Sequence, residues 1–140
     1  MNIPNNSFLV FAANLWNPSG ISLLGGKRYE IKPLCSGEFV QKWQDSWITC
    51  GPEGWEGSIG KFSSHMLSAL LRVRELGGTP QRYFALIGCV GKSLQHAFLI
   101  GNGCEIVPQV DGELFAFAND AEVAYGNNHG QIVVTVREIT

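Results

Sequence analysis

Turn-forming residues cut this chain into short pieces, and that limits its fold more than any other feature. Asn17-Pro18-Ser19-Gly20, Gly25-Gly26, Gly51-Pro52-Glu53-Gly54, Gly77-Gly78 and Asn102-Gly103 recur along 140 residues. Each supplies the restricted or positive φ that a tight turn needs. Between them, Phe8 to Ala13, Arg28 to Leu34, Glu113 to Asn119 and Gln131 to Glu138 read as strands. In the last of these, Ile132, Val134 and Val136 share one face. Tyr83 to Val90 is almost continuously apolar, as a strand covered on both faces requires. His96 to Ile100 ends at Asn102-Gly103, a hairpin-type turn. The stretch Ser36 to Gly60, which holds Trp43, Trp47 and Trp55, reads as a loop region.

One segment departs from this pattern. Phe62, Met66, Leu67, Leu70, Leu71 and Val73 recur at helical spacing, with Ser63 or Ser64 as N-cap and Gly77-Gly78 and Pro80 as the stop. The expectation is one domain spanning residues 1–140, an all-β sandwich with one inserted α-helix over Phe62 to Leu76. Seventeen glycines and eight phenylalanines favour that reading over a helical bundle.

Composition excludes several function classes. The net charge is −2 and the basic residues are scattered, so no basic stripe exists for nucleic acid. No apolar run is long enough to span a membrane. Met1 to Ser7 has neither a basic start nor an apolar core, so a cytoplasmic protein is expected, with release by a non-classical route left open. Cys35, Cys50, Cys89 and Cys104 form no C-x-x-C pair and read as reduced, buried side chains rather than a zinc site. No glycine-rich phosphate loop opens a helix, and no cysteine–histidine signature is present, so a non-enzyme is expected.

The segment richest in chemistry is Asn119-Asp120-Ala121-Glu122-Val123-Ala124-Tyr125-Gly126-Asn127-Asn128-His129-Gly130. It joins two strands, is too long for a minimal hairpin, and is dense in short oxygen-bearing side chains. Calcium takes about six to eight oxygen ligands from carboxylates, amides, backbone carbonyls and water, and such a loop can supply them. Read from residues alone, the same Asp and Asn side chains equally serve as turn caps through Asx hydrogen bonds.

The run Asn119-Asp120, four residues, Tyr125-Gly126-Asn127-Asn128, one residue, Gly130, then an alternating last strand resembles the C-terminal end of the LecA-like (PA-I) galactophilic lectins. These are bacterial, calcium-dependent β-sandwich lectins. Trp47-Ile48-Thr49-Cys50-Gly51-Pro52 is similar to the family's Trp-x-x-Tyr-Gly-Pro stretch, with Cys50 in place of tyrosine. Phe84 to Gly91 is similar to its buried middle strand. The resemblance implies a jelly-roll or galactose-binding-like sandwich. It also implies a calcium ion held by the side chains of Asp120, Asn127 and Asn128 and the carbonyls of Ala124 and Cys50. Two hydroxyls of a galactose-type sugar would complete the shell and bond Asp120, Asn127 and Asn128.

Trp55 reads as a packing anchor or as a platform for a sugar ring. His129, beside the loop, reads as a pocket-lining or solvated residue, while Trp43 and Trp47 are expected to close the end of the sandwich. The family's sugar-gripping histidine and glutamine are replaced here by the region Gly57 to Thr79. The expected partner is a carbohydrate, with a homo-oligomer left open. The alternatives are a structural or interaction domain whose calcium only braces the loop, and an accessory module that works through residues 57–79.

Overall fold

The fold is described from a computed structural model for residues 6–34, 41–55 and 70–140. Twelve strands are formed among these residues: β1 Ser7–Phe11, β2 Asn17–Leu23, β3 Arg28–Pro33, β4 Trp43–Asp45, β5 Ile48–Cys50, β6 Glu75–Leu76, β7 Thr79–Pro80, β8 Leu86–Val90, β9 Ala97–Leu99, β10 Cys104–Ile106, β11 Gly112–Ala118 and β12 Asn128–Ile139. One antiparallel sheet has the order β10-β3-β12-β4-β5 with β1 also on β12, and a second has the order β2-β11-β8-β9. The architecture is the expected all-β sandwich.

Alternation along the strands builds two apolar layers. Between the sheets lie Val10, Ile31, Trp43, Leu86, Leu114, Ala116, Ile132 and Val134, all nearly solvent-free. Trp43 meets Phe84 edge to face at 5.6 Å, a contact worth about 0.5–1.5 kcal/mol beyond its buried area. The opposite faces of β8 and β11 carry Ile87, Cys89 and Phe117, covered by Val73, Trp16 and Leu76. The middle strand β8 is therefore buried on both faces, which explains its unbroken apolar sequence.

The longest strand, β12, organises the first sheet. Its residues 128–130 pair with β4, 131–135 with β1 and 134–139 with β3. Between β3 and β4 the ladder is completed by a side chain. Gln41 donates from Nε2 to the carbonyls of Leu34 and Val133, and its Oε1 accepts from the Val133 N–H.

Five sequence expectations change, the first being Asn17-Pro18-Ser19-Gly20, read as a turn, which forms the start of strand β2. The helix Phe62 to Leu76 is not formed over 70–76; its earlier residues, 62–69, lie outside the described part. The Arg72 N–H donates to the Asp120 carbonyl, and the Val73 N–H donates to Asn119 Oδ1. Those amides are thus taken by tertiary partners instead of by a helix ladder. Gly77 and Gly78 both have positive φ and make the two-residue turn between β6 and β7 rather than a helix stop. Asn102-Gly103 does not close a hairpin, because β9 and β10 belong to different sheets and the turn crosses between them. The region Ser36 to Gly60, read as a loop, contains β4 and β5.

Gly54 shows how tightly the end of the sandwich is packed. Its φ is +78°, and a Cβ there would lie 2.2 Å from the Tyr83 carbonyl oxygen and 2.6 Å from the Ala85 nitrogen. Gly20 has a similar φ of +72° but open space around it. Gly54→Ala should lower stability by about 2–4 kcal/mol, adding backbone clash to conformational strain. Gly20→Ala should cost only about 1–2 kcal/mol. Urea denaturation of both variants checks this, and equal losses would show that the contact at Gly54 is relieved at little cost.

Candidate functional site

The oxygen-rich segment 120–128 is a crossover between the sheets. It leaves the second sheet after β11 and enters the first at β12, with a short 3-10 helix over Glu122–Asn127. It is anchored at both ends. Asn119 is fully buried; it donates from Nδ2 to the carbonyls of Val73 and Arg82. Tyr125 is buried and donates its hydroxyl to the Ala118 carbonyl, while accepting from Arg72 Nη1 at 2.8 Å. The Arg72 guanidinium lies 3.8 Å from the Phe117 ring centre and 4.6 Å from that of Trp16, so a half-buried cation stacked on aromatic rings braces the underside of the crossover.

Asp120 and Asn128 stand at the two ends of the segment and are only 6% and 2% exposed. Asp120 Oδ1 accepts from the Ala121 N–H at 2.7 Å, and Asn128 Nδ2 donates to the Ala12 carbonyl at 3.0 Å. Their other oxygens, Asp120 Oδ2 and Asn128 Oδ1, are buried and meet no hydrogen-bond donor among the described residues. Burial, and then the negative charge of Asp45, push the Asp120 carboxyl up to about 6; the Ala121 N–H and the Asn128 side chain offset this in part. Two buried acceptors and no donor are what a cation would satisfy, so these residues fit a metal such as calcium.

The neighbouring β4–β5 hairpin supplies the rest of the surroundings. Asn128 pairs directly with Asp45, so their side chains leave the same face of the sheet. Trp43 and Cys50 are paired in the same ladder, two residues along from Asp45 and Ile48, which puts the Cys50 and Asp45 side chains on that inward face too. Burial, then the charges of Asp45 and Glu53, push the Cys50 thiol up to about 12, so Cys50 stays protonated and can offer only its carbonyl. Trp55 Nε1 donates to Asp45 Oδ2 at 3.2 Å, and its ring stacks on Tyr83 at 4.7 Å. Ser46, with φ +56°, turns the hairpin so that its N–H donates to the Asn127 carbonyl at 3.0 Å.

The structure thus brings together Asp120, Asn128, Cys50 and Trp55, with Asp45 among them. Ala124 is half-buried within the crossover and Asn127 is exposed at its end. His129 is exposed and, as the residue after Asn128 in a strand, sends its side chain to the opposite face; it is not brought together with the others. Trp43 closes the sandwich as expected, but Trp47 does not: at the hairpin tip it is 71% exposed. No three His, Cys, Asp or Glu side chains converge as a metal group among the described residues, so the donors here are mixed carboxylate, amide and carbonyl oxygens. Sequence reasoning did not single out Asp45, and it read Trp47 as closing the sandwich. Nothing local marks Asp45, because only the pairing of β4 with β12 brings it to Asn128.

No protein-family model matches this chain, and no curated protein matches it in sequence. Among solved structures it is similar to one described as "EclA N-terminal domain; PllA-like lectin", at a TM-score of 0.60 and 19% identity, with 95% of each chain covered. At that identity the likeness is one of fold alone: the two chains share a β-sandwich.

Proposed function

We propose that this protein is a lectin that binds a galactose-type sugar through a calcium ion held by the 120–128 crossover. The observation that carries this reading is the pair of buried oxygens without donors, Asp120 Oδ2 and Asn128 Oδ1, at the mouth of a lectin-type sandwich. Asp120, Asn127 and Asn128 would hold the ion with their side chains, and Ala124 and Cys50 with their carbonyls. When bound, calcium supplies open coordination positions from which a vicinal diol displaces water. The protein's own part is to keep the oxygens desolvated and fixed, through Asn119, Tyr125 and Arg72 behind the crossover. Trp55 has one ring face against Tyr83, and the exposed Trp47 beside Asn127 offers a further apolar surface for a sugar.

One observation favours a second reading, in which the ion only braces the loop. Leu71 bridges to Ala121 and the Arg72 N–H donates to the Asp120 carbonyl, so the end of the 57–79 region is laid directly along the crossover. A sugar that needs that side of the loop would be excluded.

Calcium should raise the melting temperature and a chelator should remove the gain; at a hundredfold excess over Kd the stabilisation is about 2.7 kcal/mol. Asp120→Ala should abolish the effect. Melting curves of the parent that coincide with and without calcium would end the metal reading.

The pH dependence has a definite sign. The folded protein keeps a proton on Asp120 to about pH 6, whereas the unfolded chain releases it near 3.8. In chelator, this group therefore costs stability as pH rises through that window, because the native state binds more protons. Asp120→Asn should flatten that slope. With calcium present the order reverses: binding needs the ionised carboxylate, so the calcium-induced gain should fade as pH drops below about 6.

Binding to a multivalent glycan array should require calcium and favour galactose-terminated glycans. Trp47→Ala should weaken array binding without changing the calcium-induced shift in melting temperature. Array binding that persists in chelator would rule out sugar recognition through the ion.

A further inference from the structure

We infer that Asp45 is a second anionic ligand at this cation site, held in place by Trp55. The inference rests on the calcium reading above and adds to it a carboxylate outside the 120–128 crossover. Three observations support it. First, the β4–β12 ladder places Asp45 directly opposite Asn128, so the two side chains rise side by side on the inward face. Secondly, Asn128 and Asp120 are each more than nine-tenths buried, and each keeps one oxygen there without a donor. Thirdly, among the described residues the Asp45 carboxylate accepts a side-chain hydrogen bond on one oxygen: Trp55 Nε1 donates to Oδ2, and Oδ1 is the oxygen offered to a metal.

Charge agrees with this geometry. Two carboxylates that desolvate and repel each other are unfavourable in the absence of a cation, and a divalent ion between them removes both costs. Arg82 is turned to the Gly54 carbonyl at 3.3 Å, while Arg72 is occupied beneath the crossover by Leu15 and Tyr125. Neither neutralises the pair by a direct bond to Asp45 or Asp120.

With one carboxylate the site would carry a single negative charge against a divalent ion; with Asp45 it carries two. The second charge raises affinity for calcium and favours divalent over monovalent ions. The Trp55 indole becomes an outer partner that orients a ligating carboxylate, as outer hydrogen bonds do in other metal sites. The position of Trp55 beside the site is thereby explained without asking its ring to contact a sugar.

The test is calcium titration by calorimetry, with melting curves in calcium and in chelator, on the full chain and on Asp45→Asn, Asp120→Asn and Trp55→Phe. Asp45→Asn should weaken calcium binding by about tenfold or more, the effect of removing one unit charge from a divalent site. In chelator the same variant should melt higher than the parent, because the repulsion is gone. A purely structural Asp45 would give the opposite sign. Trp55→Phe keeps both carboxylates and should weaken binding by a smaller factor. Calcium should also shift the tryptophan emission of the parent, and Asp45→Asn should reduce that shift. If Asp45→Asn binds calcium as tightly as the parent while Asp120→Asn does not, the role given to Asp45 is wrong and the calcium reading stands. A parent that binds no calcium would overturn both.

Discussion

The pairing of one twelve-residue strand, β12, with three different partners underlies both the fold and the candidate site. A strand that long must satisfy its backbone groups along its whole length, and no single neighbour here is long enough to do so. β3 and β4 cover separate stretches, and the side chain of Gln41 fills the break with three hydrogen bonds. A buried break in a ladder would otherwise strand polar backbone groups, at a cost of about 1–3 kcal/mol each. The same pairing decides the chemistry, since the contact between β4 and the start of β12 is what places Asp45 against Asn128.

The end of the sandwich is built from polar groups that are satisfied behind and unsatisfied in front. Behind the crossover, Asn119 and Tyr125 use both donor and acceptor atoms, and Arg72 is enclosed by aromatic rings and bonded to oxygen. In front, Asp120 and Asn128 keep oxygens without donors. A rigid, satisfied support under a set of uncompensated acceptors is how a metal site is preorganised: the desolvation cost is carried by the folded protein and returned when a cation binds. Backbone strain gathers in the same place. Ser46 and Phe84 are the non-glycine residues with positive φ among the described residues. Ser46 turns the hairpin onto the crossover, and Phe84 carries the backbone past Asn119 into the core, donating to the Asn119 carbonyl.

The resemblance to LecA-like lectins is carried most closely by a short run of residues at the end of the chain, and the likeness to a solved lectin domain at 19% identity bears on the fold alone. The proposed ligands Asp120 and Asn128 owe their meaning to burial, which no motif records. The same two side chains on an exposed turn would cap backbone amides and need no ion. The region before Thr79 also matters more than its sequence suggests. Its described end, residues 70–78, covers the outer face of the second sheet with Val73 and Leu76 and supplies Arg72 to the crossover.

Strand periodicity and the continuous apolar run of β8 were legible in the sequence, because each is a local consequence of backbone geometry and of one or two buried faces; turn chemistry was legible only in part, since Asn17-Pro18-Ser19-Gly20 opens β2 and Gly77-Gly78 turns a hairpin instead of stopping a helix. So was the oxygen-rich crossover, whose side chains announce their type wherever they sit. The short strands β4 and β5 were not legible, being too brief for a period to show, and neither was the loss of helix over 70–76. There the apolar spacing fits a helix, but the amides of Arg72 and Val73 find partners on Asp120 and Asn119. Tertiary hydrogen bonds outweigh a helical preference of a few tenths of a kcal/mol per residue. Asp45 is the clearest case of what only tertiary structure decided. In sequence it is an unremarked aspartate far from the crossover; in the fold it is the cross-strand partner of Asn128, because register in a sheet is set by the whole set of buried faces and not by any one segment.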